Sequence, residues 1–258
     1  MRFPARLHVL LARDAPYAVI LRRGPSNLVC TIGWDRANDT FQVGQWLRGR
    51  IYEERCDLSP DGRHLLYFAL NGRWSSETKG SYTAVSRAPY LKAVSLYPQG
   101  DTWGGGGVFL DNRTFTTTGW PTALRECEEL TRVHTSRWIG GPQAVRFERD
   151  GWLQVCTELP IYDRPASSGW LLRVRLCSGL PSTPGRGCHW AEYALVEAAT
   201  GAVRFLPEWE WAGLDGARIV WTVAGTLNAA RLTKRGLGPA TLLADFNPLQ
   251  YEPIQAQY

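Results

Sequence analysis

The stretch ERCDLSPDGRHLLYF, Glu54–Phe68, decides how the rest of the chain is read. Asp61-Gly62 separates a short apolar segment from a dense apolar run, and Asp-Gly accepts positive φ in a tight turn between antiparallel strands. The same form returns as AGLDGARIVW, from Ala212 to Trp221, and as RFERDGWLQVC, from Arg146 to Cys156. Weaker copies are VFLDNRTFTT, from Val108 to Thr117, with Asn112 in the glycine's place, and VILRRGPSNLVC, from Val19 to Cys30, which keeps Gly24 but lacks the aspartate. Counted from positions 24, 62, 112, 151 and 216, the spacings are 38, 50, 39 and 65 residues.

Other runs, among them AVILRR, LVCTIGW, SYTAVS, LKAVSLY, WLLRVRLC and AEYALVE, are rich in β-branched or aromatic residues. Each is bounded by Gly, Pro, Asn, Asp or Ser, which is the pattern of strands and turns. Each turn is followed by further strand pairs, so that a unit holds about four strands, and four strands in roughly 40–50 residues make a propeller blade. The chain is therefore expected to be all-β: a single small β-propeller domain over residues 1–258, with five blades of four antiparallel strands. The longest interval is assigned to a loop-rich insertion around 160–190, where IYDRPASSGW and LPSTPGRGCHW concentrate Gly, Pro and Ser. One short helix is expected near 121–133, because PTALRECEELTRV places Leu124, Cys127 and Leu130 on one side and glutamates in the early turns, where the helix dipole favours them.

SPDGRHLLY, Ser59–Tyr67, resembles the blade turn of bacterial WD40-like and TolB-like β-propeller repeat proteins, and GLDGARIVW resembles a second copy. ALVEAATGAVRFLP is similar to the outer hairpin of such blades. The likeness covers about half of the chain; no Trp-Asp dipeptide closes each unit, and GWD at Gly33–Asp35 occurs once. The resemblance implies a protein-binding role, by fold analogy as an accessory component of a multi-protein bacterial system.

The net charge is +5 and 26 of the 29 basic residues are arginine, yet no run of five basic residues occurs. Nucleic acid is thus a secondary expectation behind another protein as the partner. The apolar N-terminal patch, Leu7–Ala12, is too short for a signal peptide, and no stretch of 18 apolar residues is present, so no membrane is expected. The six cysteines form no CxxC pair and are read as reduced, with the cytoplasm as the compartment. Cys177, Cys188 and His189, with Cys127 and His134, lack zinc-ligand spacing, and neither metal nor cofactor is expected.

DTWGGGGVFLD, Asp101–Asp111, has the glycines of a phosphate loop but neither the Lys-Ser or Lys-Thr nor the following helix. A glycosidase alternative needs carboxylates converging at an axial pocket, for which Asp57, Asp101, Glu158 and Asp215 are candidates. No GxSxG elbow is present, and no catalytic residues are assigned. The 12 tryptophans are the unusual feature. Most are assigned to packing, but Trp74 in NGRWSSETKG, Trp103 before the glycines and Trp138 in TSRWIGG lie in polar or glycine-rich loops. With Arg73 and Arg137 they form the expected binding set, because exposed Trp and Arg are common interface anchors.

Overall fold

The computed structural model describes residues 3–24, 27–134, 141–156, 158–180 and 187–258. The described chain is all-β, with five sheets built in succession and one α-helix. Sheet A has the order β1 (Arg6–Leu11), β2 (Tyr17–Arg23), β3 (Leu28–Asp35) and β4 (Thr40–Arg48). In sheet B, the short β5 (Arg50–Ile51) and β6 (Asp57–Leu58) both pair with β7 (His64–Leu70), followed by β8 (Ser81–Arg87) and β9 (Ala93–Pro98). Sheet C is β10 (Gly107–Phe109), β11 (Thr114–Thr117) and β12 (Thr131–Arg132), with β12 parallel to β11. The helix α1 (Gly141–Arg149) precedes sheet D, an antiparallel succession of β13 (Leu153–Cys156), β14 (Ile161–Pro165), β15 (Trp170–Ser178), β16 (His189–Glu197) and β17 (Val203–Leu206). Sheet E pairs β18 (Trp211–Asp215), β19 (Arg218–Val223) and β20 (Thr226–Thr233), and both β21 (Gly236–Leu237) and β22 (Thr241–Asp245) add to β20.

The chain divides into two compact units. One joins Met1–His8 to Phe147–Leu249 and contains sheets D and E; the other joins Val9–Arg146 to Gln250–Tyr258 and contains sheet A from Val9 onward with sheets B and C.

In the A/B/C unit the apolar run of β7 is explained by burial of both its faces. Successive side chains of a strand point to opposite faces. Leu65, Tyr67 and Ala69 pack with Val19, Leu21 and Val29 of sheet A. Leu66, with Val85 and Tyr97, packs instead with Phe109 and Phe115 of sheet C. A strand covered on one side would alternate apolar and polar residues, whereas one covered on both reads as HLLYFAL. In the D/E unit, Leu172, Val174, Tyr193 and Leu195 meet Ile219, Trp221 and Ala230. Trp209 stacks on Trp221 there with ring centroids 4.6 Å apart.

The expected turn marks fall into two groups. Positions 112 and 216 lie between the first and second strands of their sheets, β10 and β11 and β18 and β19, and position 62 lies between β6 and β7, the second and third strands of sheet B. At the clearest copy, Asp61 Oδ1 accepts hydrogen bonds from Ser59 Oγ (2.6 Å) and the Arg63 amide (3.1 Å), Ser59 Oγ accepts from the His64 amide (2.9 Å), and Gly62 has φ +76°. Position 24 falls one strand later, between β2 and β3. Position 151 is not a hairpin turn: Gly151, φ +80°, follows α1, its amide donating to Glu148 O while Trp152 N donates to Phe147 O. Asp-Gly serves equally as a helix C-terminal stop, because both uses need a residue that tolerates positive φ.

The helix expected at 121–133 is corrected to Gly141–Arg149. The backbone of 121–133 bonds to the edge of sheet B instead: Leu124 N donates to Leu96 O (2.9 Å), Leu96 N donates to Arg125 O (2.9 Å), and Cys127 N donates to Ser95 Oγ (3.0 Å). Leu130 then enters the core beside Phe109 and Phe115. The region 160–190, expected as a loop-rich insertion, supplies β14, β15 and the start of β16, with residues 181–186 outside the described residues. The described helices include none long and apolar enough to cross a membrane.

Candidate functional site

Of the expected binding set, Trp138 and Arg137 lie outside the described residues. Trp74, Arg73 and Trp103 stand on two loops of the A/B/C unit, and the structure brings those loops together.

Asn71–Gly80 joins β7 to β8. Asn71 Oδ1 accepts the Arg73 amide (2.9 Å), Ser76 Oγ donates to Arg73 O (2.6 Å), and Asn71 N and Gly72 N both donate to Gly80 O (3.0 Å). This internal bonding gives the loop one shape. The Trp74 indole lies directly on Gly80, where a β-carbon would collide with the ring. One face of Trp74 is thereby fixed, and the residue remains 55% exposed; Arg73 is exposed beside it.

The second loop follows β9. Gln99 N donates to Ser81 O (2.9 Å), and Ser81 Oγ donates to Asp101 O (2.5 Å), tying this loop to the root of the first. A β-carbon at Gly100 would lie 3.6 Å from Lys79 Cβ. Asp101 Oδ1 accepts the amides of Trp103 (2.8 Å) and Gly104 (2.9 Å). Arg55 Nη1 donates to Thr102 O (3.0 Å) and Gly104 O (2.6 Å) while its guanidinium lies 5.2 Å from the ring centres of both Tyr52 and Phe68. The glycine run serves backbone approach, since a β-carbon at Gly105 would enter the Phe68 ring and one at Gly106 would strike the Arg55 backbone. The chain then continues as β10, a strand, so no helix N-terminus stands behind these glycines. Trp103 projects from this braced loop at 91% exposure.

A third aromatic, Trp120, was assigned to packing on sequence but is 51% exposed. Its loop adjoins the glycines through Gln99, whose Nε2 is 2.7 Å from a β-carbon built at Gly104 and 3.5 Å from one built at Gly119. Arg132 is held between Trp120 and Tyr97, 4.1 Å from each ring centre, and Arg132 Nη1 donates to Pro121 O (3.0 Å). Burial is the main cause that raises the Tyr97 hydroxyl to a pKa of about 12. The sequence signal for Trp120 was its place between Gly119 and Pro121, two residues that end a strand.

Three of the four candidate carboxylates have structural partners. Asp57 is buried and accepts the Phe109 amide at 2.7 Å. Asp101 caps its own loop, and Asp215 accepts Arg218 Nε at 2.8 Å across the β18–β19 turn. Glu158 is exposed. Among the described residues no group of three or more His, Cys, Asp or Glu is placed to hold a metal ion.

No known protein family matches the chain, and no curated protein sequence matches it. Solved structures similar to it include hydrazine synthase from Kuenenia stuttgartiensis, at 11% identity and TM-score 0.33, over 90% of this chain and 78% of that one. A mutant of the GH43 protein BlXynB from Bacillus licheniformis is similar at 12% identity and TM-score 0.36, over 100% and 58%. An acylaminoacyl peptidase in complex with a chloromethyl ketone is similar at 11% identity and TM-score 0.25, over 94% and 33%. At TM-scores this low none of these likenesses extends to activity.

Proposed function

We propose that the chain is a non-catalytic protein-binding module of the β-propeller type, an accessory component of a cytoplasmic multi-protein assembly. Its partner docks on the loops that carry Trp74, Trp103 and Trp120, with Arg73 at the rim. The observation that carries this reading is Trp103, a large apolar ring 91% exposed on a loop braced by Asp101 and Arg55. A rigid, solvated aromatic loses little conformational freedom on binding, and burying it stabilises a complex by roughly 2–4 kcal/mol.

The test is site-specific photo-crosslinking in the source cell, with the crosslinker at position 73 on the rim and, as a control, at position 205 on sheet D. One discrete adduct at 73, abolished by Trp103→Ala at unchanged melting temperature, is the expected result. Identical adduct patterns from both positions would count against the assignment of this face.

A further inference from the structure

Helix α1 buries its side chains in an order opposite to the usual one. A surface helix turns its apolar stripe inward and leaves arginine to water. Here Ala144, Val145 and Phe147 are only half-buried, and the one buried residue of the helix is Arg146, 7% exposed. Arg146 and Cys56, the residue it contacts, both belong to the A/B/C unit.

Arginine cannot shed its proton inside a protein, so its burial calls for a compensating partner. Arg22, the other arginine buried among the described residues, lies over the Trp46 ring, 5.5 Å from its centre, and donates to Gly24 O. Arg146 Nη1 donates to the Cys56 carbonyl; among the described residues no carboxylate pairs with this guanidinium and no acceptor takes Nε or Nη2. Glu148, two residues on, projects from another side of the helix and is exposed, and Asp150 is engaged by Arg149 at 2.8 Å. The open edge, Nε with Nη2, is the one by which Arg173 holds Asp163, with 2.7 Å for each bond. Such an edge meets two oxygens of a planar anion in parallel bonds. Burial dominates the rise of the Cys56 thiol, with Glu53 and Glu54 adding to it and Arg146 opposing, so both carboxylates stand within electrostatic reach. One guanidinium balances one negative charge, and the two glutamates oppose a second.

We infer that Arg146 anchors a binding site for a small carboxylate, which Nε and Nη2 hold side-on while Nη1 stays on the Cys56 carbonyl. The site shares no residue with the tryptophan loops.

The probe is sodium acetate, titrated to about 50 mM onto the full-length chain at pH 7.5, with sodium chloride holding the ionic strength constant. A dissociation constant of millimolar order should raise the melting temperature by roughly 3–8 °C at that concentration. Arg146→Gln, which keeps a donor for the Cys56 carbonyl and removes the charge, should lose the rise. Arg146→Lys, which keeps the charge without the two-bond edge, should bind about tenfold more weakly. Phosphate, largely a dianion at this pH, should give a smaller rise than acetate. In wild type labelled with ¹⁵N-arginine, one Nε–H proton resonance should move downfield with acetate, which reads the bond whether or not the variants fold. No rise with acetate, an equal rise in Arg146→Gln, a larger rise with phosphate, or Nε–H resonances that stay in place would each overturn the inference.

Discussion

Asp61→Ala tests whether the SPDG turn is a folding device. The variant loses the acceptor shared by Ser59 Oγ at 2.6 Å and the Arg63 amide at 3.1 Å. Hydrogen bonds to a charged acceptor contribute about 1.5–3 kcal/mol, but water reaches this turn and replaces part of what is lost, so the expected cost is about 1–2 kcal/mol. The Asp61–Arg63 ion pair adds little, since it spans 3.7 Å and the Arg63 side chain is 81% exposed. For a chain of this length that corresponds to a drop in melting temperature of roughly 3–6 °C. Circular dichroism melts of wild type, Asp61→Ala and Asp61→Asn read the effect, and the asparagine, which keeps an acceptor, should recover more than half of it. Crosslinking from position 73 should be unchanged in both variants. A melting temperature unaltered in Asp61→Ala, or a loss of crosslinking without loss of stability, would refute the assignment of this turn to folding.

Gly105→Ala should cost about 2–4 kcal/mol in urea denaturation, since φ there is +95° and the new methyl meets Phe68; wild-type stability would show that the loop does not pack on that ring. Burial is the main cause that holds the Glu53 carboxyl above its ordinary range, against the opposing effect of Arg23. The folded state therefore keeps this proton to higher pH than the unfolded state, and the associated stability is full below the unfolded value of 4.5 and lost as pH rises through the folded value. Measured by urea melts, wild type should gain on Glu53→Gln as pH falls from 7.5 to 4.5, and a constant difference would contradict this. Burial also pushes the Cys30 thiol up to about 12 and the Cys56 thiol higher still, whereas Cys188 is exposed. Iodoacetamide at pH 8 should label Cys188 in the native chain and spare Cys30 and Cys56 until urea is added; rapid native labelling of Cys30 would contradict its burial.

The strands of sheets A and B were legible because apolar runs such as AVIL and LLYFAL leave little alternative once turns flank them. What local sequence could not show is which of two meanings a signal carries. Asp150-Gly151 was read as a hairpin turn, although Pro142 after Gly141 and a glycine after Arg149 punctuate a helix at both ends. PTALRECEELTRV has helical spacing, but the open edge of β9 offered its backbone partners that an isolated helix lacks, and Leu124 remains 49% exposed as a result. The exposure of the candidate loops was partly legible. Trp74 and Trp103 stood out by their polar, glycine-rich surroundings, whereas Trp120, 51% exposed, looked like packing because the contacts of its loop are not local in sequence.

The turn of sheet B does not end at its own strands. The Asp61 amide donates to Asn112 Oδ1 at 2.9 Å, so the loop that closes one sheet is held by the loop that closes the next. Sheets joined in this way share their punctuation. The bond is solvent-exposed, so without an acceptor at position 112 the Asp61 amide turns to water and the two loops lose this tie.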